Sequence, residues 1–200
     1  FEEFAQGSGA ASAVSFNSQE VQEDTLIFRA FYNTKINTGD LVAQKLTETE
    51  LVEEPVWSSA EALDLRTFDN RDILTYNPVT KLGIPFRTAS LSSDQYDFFV
   101  YDPTASLTSA QKDAQVTDKV NYLRGDNSNE RPTGALRERP SIKGRLGDIV
   151  HSTPVFVGRP NRLNREAVPY PQGELYSDFQ DSMFSRDPMI YVTANDGMIH

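Results

Sequence analysis

The sequence predicts an all-β fold with a few helical insertions, and three features carry that expectation. Residues 25–57 read as three short antiparallel strands in succession, a meander. An Asx-Gly turn at 194–197 separates two apolar strands. Only Ser109–Arg124 has convincing helical periodicity, with Val116, Val120 and Leu123 on one side.

Each element follows from local chemistry. Residues 1–12 are rich in Gly, Ala and Ser and read as a loop or tether. Residues 25–32 (TLIFRAFY) combine β-formers with partial alternation, and the turn residues of 33–39 lead into a second strand at 40–46. The third stretch, 51–57, is interrupted by Pro55, which implies an edge or a break. Residues 59–65 read as a helical turn with Ser59 as cap. Residues 72–77 read as a strand, and 96–101 (YDFFVY) as either strand or helix. Thr108 is placed to cap the long helix and Gly125 to end it. Two long polar excursions follow, at 126–144 and 161–187, with strand character between them at 149–157. The last strand of the 194–197 hairpin holds only three residues, so a cut inside a sheet unit is expected.

Composition narrows the function classes. The net charge of -10 repels phosphate backbones, so nucleic acid is an unfavoured partner. Between Arg124 and Arg165, however, nine Lys and Arg face four Asp and Glu, which suits either a solvated loop surface or partner docking. With no cysteine there is neither a disulfide scaffold nor a thiolate metal site. No run of 18 apolar residues is present, so no transmembrane segment is expected. The start of the chain lacks the basic and apolar regions of a signal peptide, and a longer protein is expected around it.

Five ordered stretches carry a resemblance. Residues 145–157 (RLGDIVHSTPVFV) and 188–200 (PMIYVTANDGMIH) stand at the end of the chain. Upstream lie Gly39-Asp40-Leu41, then 56–60 (VWSSA), then 120–126 (VNYLRGD). The hairpin alone resembles propeller repeats in general, including those of quinoprotein dehydrogenases. The set, in this order and spacing, resembles the C-terminal domain of the PilC/PilY-type type IV pilus proteins. His151 departs from the motif, which has Asn there.

The resemblance implies a modified β-propeller of PQQ-like repeat type, incomplete in this chain, with residues 1–24 a tether and leading strand and 25–200 the first blades. It implies an exported protein at the cell surface, outer membrane or pilus tip. The family supports pilus assembly, opposes retraction and contributes to adhesion and twitching motility. Minor pilins or other pilus-tip components, and host surface receptors, are the implied partners. Calcium is an implied cofactor, its ligands expected on an aspartate-rich loop outside this chain.

Residue chemistry gives no enzyme. His151 and His200 are the only histidines, and no metal-ligating or nucleophilic constellation can be assembled around them. Asp148, at a strand entry, reads as a turn residue accepting N–H groups. The oxygens of 126–130 (DNSNE) alternate as calcium ligands do, but lack the central Gly and distal Glu, and a capping turn is the simpler account. Arg124-Gly125-Asp126 is the tripeptide that integrins read, and exposure is the minimum requirement for such contact. Trp57, the single tryptophan, reads as core packing. A quinoprotein-like redox enzyme is the alternative, and it would need repeated tryptophans. The expected role is a protein-binding module with its interaction surfaces on the two excursions.

Overall fold

The computed structural model describes residues 9–16, 25–47, 51–52, 54–100, 106–160, 166–167, 173 and 175–200. In chain order the strands are β1 (Gly9–Phe16), β2 (Thr25–Asn33), β3 (Thr38–Leu46), β4 (Trp57–Ser58), β5 (Leu74–Asn77), β6 (Leu82–Pro85), β7 (Val155–Val157) and β8 (Met189–Tyr191). The helices are α1 (Ser59–Asp64), α2 (Ser93–Phe98), α3 (Ser109–Arg124) and α4 (Tyr176–Ser182). The strands make one four-stranded and two two-stranded sheets, all antiparallel, and no closed ring of blades is present among the described residues. Phe1–Ser59 with Leu146–His200 forms one compact unit, and Ala60–Arg145, inserted in chain order, forms another.

The first unit is built on the sheet β1-β2-β3-β4. β2 and β3 pair along their whole length, from Thr25↔Leu46 to Asn33↔Thr38. Asn37 closes the turn at φ 52, a left-handed conformation that Asn tolerates. β1 overlaps the stretch expected as a tether. Its sequence GAASAVSF is poor in β-formers, but β2 offers a row of backbone groups that need partners, and pairing overrides propensity. β3 is buried from Thr38 to Gln44. Phe28, 4% exposed, stacks on Phe156 at 5.6 Å between centroids and tilts against Trp57 at 6.0 Å. Trp57 is not a core residue here. It sits on the two-residue edge strand β4 and keeps 36% of its surface exposed.

The strand expected at 149–157 shrinks to β7, because Pro154 has no N–H to give a ladder. β7 pairs with β8 from Val155↔Tyr191 to Val157↔Met189. The second excursion holds a helix, α4, a feature missed in the sequence. Leu175, Phe179 and Met183 recur at helical spacing there, and Glu166 holds the Ser177 N–H and hydroxyl at the first turn.

The second unit centres on α3. Thr108 and Gln111 form a reciprocal capping box at its start, and Gly125, at φ 111, ends it as expected. Val116 and Val120, fully buried, pack with Phe86, and Tyr96, Phe99 and Leu123 close the cluster. The ambiguous stretch near Tyr96 is helical: α2 starts at a second capping box, Ser92 with Gln95. The Tyr96 hydroxyl donates to Asp113 Oδ1, and this bond, with partial burial, pushes the phenol up to about 12. β5 and β6 form a hairpin in which Leu74, Tyr76 and Leu82 remain exposed.

Candidate functional site

Four of the five resemblance stretches meet in one backbone-rich network of the first unit. The Asp40 carboxylate, 3% exposed, accepts the Ser58 and Ser59 hydroxyls at 2.7 and 3.2 Å. Ser59 therefore does not serve as the cap expected of it. Its oxygen accepts the Leu41 N–H at 2.8 Å. The Gly39 N–H donates to Leu146 O at 3.1 Å, and a Cβ on Gly39 would stand 2.3 Å from Gly147 O. Gly147 in turn donates to Asp196 Oδ2 at 3.2 Å, and its own Cβ would stand 2.6 Å from Asp196 N. The start of β3, the 146–148 segment and the 194–197 turn thus approach main chain to main chain, which only glycine permits at these two positions.

Asp148 belongs to this stack. Its backbone oxygen accepts the Asn195 N–H at 3.0 Å, and its carboxylate accepts from Asn195 Nδ2 at 2.8 Å. The expected role is a carboxylate accepting backbone N–H groups within its own turn; instead the carboxylate takes the Asn195 side-chain amide, and the main-chain oxygen takes the Asn195 N–H. Gly197, at φ 83, closes the Asx-Gly turn, and Val192 and His200 exchange two backbone bonds across the hairpin at 2.9 and 2.8 Å. His200 Nε2 lies 2.9 Å from Asp196 Oδ2. Burial opposes ionisation of Asp196. The His200 bond and charge, with the Gly147 and Met198 N–H groups, outweigh it and hold the carboxyl below its ordinary value. His151 is exposed. One signal of the stack was overlooked in the sequence. Residues 38–42 (TGDLV) and 146–150 (LGDIV) repeat the pattern Gly-Asp-aliphatic-Val at the two segments that touch.

In the second unit the fifth stretch plays a different part. Arg124, at 1% exposure, is turned into the protein. Its Nη2 donates to Phe68 O and Arg71 O, both at 2.8 Å, and its Nη1 to Phe86 O at 3.1 Å. Arg71 reciprocates by donating to Arg124 O at 2.8 Å. Burial, and then the charge of Arg87, lower the pKa of Arg124. Gly125 is also buried, and Asp126 folds back on Ser128, accepting its N–H at 3.0 Å and its hydroxyl at 2.8 Å. The tripeptide Arg124-Gly125-Asp126 therefore fails the exposure it needs as a receptor motif: its guanidinium is spent on three internal carbonyls.

The 126–144 excursion is pinned throughout. Arg139 and Glu130 form a 2.6 Å ion pair with side chains only 10% and 8% exposed. Arg139 also donates to Tyr122 O at 2.9 Å and Asp126 O at 2.6 Å, and its guanidinium lies 4.1 Å from the Tyr122 ring centroid. Asn129 donates to Asp118 at 2.7 Å. At the far end Lys143 N donates to Asp64 Oδ2 at 2.5 Å, and Arg145 Nη1 spans Leu63 O, Asp64 O and Arg66 O. Between these anchors lies a polar cleft of about 210 Å³, walled in part by Arg131, Arg139, Arg145, Glu130, Glu138 and Asp64. The oxygens of 126–130 do not fit calcium. Those of Asp126 are engaged by Ser128 and those of Glu130 by Arg139, and no cluster of three or more metal-ligating side chains exists among the described residues.

With this geometry in hand, the chain can be set beside known proteins. Residues 146–200, which hold two of the three stacked segments, match the PilY1 beta-propeller domain. The chain is 33% identical over 197 residues to the type IV pilus biogenesis factor PilY1 of Pseudomonas aeruginosa strain PAK. The chain is of the PilY1 type. A PilY1 homolog of Xylella fastidiosa strain Temecula1 is 30% identical over 194 residues. These alignments cover 94% and 96% of this PilY1-type chain but only 16% and 14% of the relatives. The chain therefore spans about a sixth of the length of the curated relatives it matches. No solved structure matches it. No helix among the described residues is long and apolar enough to cross a membrane.

Proposed function

We propose that this chain is part of a β-propeller of PQQ-like repeats that serves type IV pilus biogenesis as a protein-binding module, without catalysis. The observation that carries the proposal is its similarity, over 94% of its length, to a protein named as a type IV pilus biogenesis factor. In this proposal the protein is exported to the cell surface, outer membrane or pilus tip. It docks minor pilins or other tip components, opposes retraction, and contributes to adhesion and twitching motility. The pinned loop at 126–144 supports a binding role, since a loop already ordered loses little entropy when a partner docks. Any contact with host receptors runs through exposed side chains of that loop rather than through Arg124. Calcium, in the same proposal, is held by residues outside this chain.

The test replaces 161–187 with a short linker in the full-length protein. Surface pili and capture of minor pilins should both fall while the protein stays folded. Undiminished capture by a folded deletion variant would overturn the assignment of that excursion as a docking surface. Normal piliation in a strain lacking the whole protein would overturn the proposed function.

A further inference from the structure

We propose that the polar cleft of the second unit is a carboxylate-binding site for an acidic segment of a protein partner. This rests on the binding-module function proposed above and names the chemistry of what is bound. The cleft holds three arginines, and they are not equivalent. Arg139 is consumed: Glu130 cancels its charge, and two carbonyls and the Tyr122 ring take the rest of its guanidinium. Arg145 is held by Nη1 alone, on three backbone carbonyls, while its Nε and Nη2 take no partner among the described residues. Arg131 is exposed, and its side chain makes no hydrogen bond or ion pair among the described residues.

A fork of two N–H groups held rigidly from behind is the donor arrangement that a carboxylate accepts bidentately. The carboxylates of the wall do not fill that role. Glu130 is paired with Arg139, and Asp64 is turned to the Lys143 N–H. Glu138 is exposed and without a partner among the described residues, and Asp64 keeps its charge while accepting a neutral backbone N–H, so these two wall groups repel an incoming anion. A volume near 210 Å³ has room for one acidic side chain with a few waters, at about 30 Å³ per water. The loop beside the cleft is closely packed: a Cβ on Gly134 would meet Asn129 Oδ1 at 2.1 Å, and one on Gly144 would meet Pro140 O at 2.0 Å. The stretch 131–145 carries five Arg and Lys against one Glu in a protein of net charge -10, so it is the basic exception on an acidic chain.

The test uses the full-length protein and two synthetic peptides, one with tandem Asp-Glu pairs and one with Asn-Gln in their place. The acidic peptide should bind and the amide peptide should not, with affinity falling as salt rises. Arg131→Gln should weaken binding about two- to fivefold, the span of a rim charge, and Glu138→Gln should tighten it by a similar factor. Neither side chain makes a hydrogen bond or ion pair among the described residues, and the Arg131 N–H bond to Leu136 O is kept in the variant, so neither substitution should disturb folding. Equal binding of the two peptides, or no response to either substitution, overturns the inference. Capture of minor pilins from the same preparations separates the two levels. Capture that persists without acidic-peptide binding leaves the binding-module function standing and removes only this site.

Discussion

Replacing Arg124 with Met should cost this chain about 3 kcal/mol of stability. The substitution keeps the length and volume of the side chain and removes its donors. Two fully buried acceptors, Phe86 O and Arg71 O, lose their charged partner, and Phe68 O loses one at the margin. Each buried acceptor left alone costs about 1–3 kcal/mol. Relief offsets part of this, because burying a guanidinium is itself costly, and its Nε has no partner in the folded state. A net loss near 3 kcal/mol sits in the upper part of the range for single substitutions. Arg124→Lys, which keeps the charge but not the fork, should lose about 2 kcal/mol. The assay is urea denaturation followed by far-ultraviolet circular dichroism, where the 16-residue α3 dominates the helical signal. Asp126→Ala serves as comparison and should cost at most about 1 kcal/mol, the worth of a solvent-facing turn. A loss below about 1 kcal/mol for Arg124→Met would refute the reasoning, since it would mean the three carbonyls find water or other donors at no cost.

Two further outcomes follow from the stacked segments. Gly39→Ala should destabilise by about 1–3 kcal/mol in thermal melts, because its Cβ meets a backbone oxygen that cannot rotate away, whereas Gly83→Ala, with nothing within 4 Å, should stay within about 0.5 kcal/mol of the parent. Asp196 contributes pH-dependent stability: its folded pKa is lowered, so the contribution is complete above the unfolded value near 4 and is lost as pH falls through the folded one. Denaturation midpoints of the parent and of Asp196→Asn should therefore differ at neutral pH and converge as pH falls through the lowered carboxyl range, and a constant difference from neutral to strongly acidic pH would count against this.

The local elements were legible where the chain's own chemistry decides them. Thr108 as cap, the apolar spacing of Val116 and Val120, and Gly125 as stop signal together determine α3, with Gln111 adding the reciprocal half of the capping box in the structure. The Asx-Gly turn and the β2–β3 hairpin are local in the same sense. What stayed hidden depends on contacts distant in sequence. β1 is a strand because β2 needs a partner, and no feature of GAASAVSF says so. The burial of Arg124 is hidden in the sequence, because composition cannot show that three carbonyls lie within reach of it. Arg139 and Glu130 pair across nine residues of loop without any periodic pattern. The helix α4 could have been found: Leu175, Phe179 and Met183 were visible, but the surrounding polar residues masked their period.

The stacked segments have a mechanical meaning. A joint in which Gly39 meets Gly147, and Gly147 meets Asp196, brings main chain against main chain with little side-chain volume between. Under a pulling load such a joint transmits force without stretching until its few hydrogen bonds break together. It behaves as a brittle rivet, in contrast to the β2–β3 ladder, whose nine paired positions can yield one after another when opened from an end. Stiffness in the first unit is thus set at two glycines, where a single added methyl group would meet main-chain atoms at 2.3 and 2.6 Å and force the joint apart.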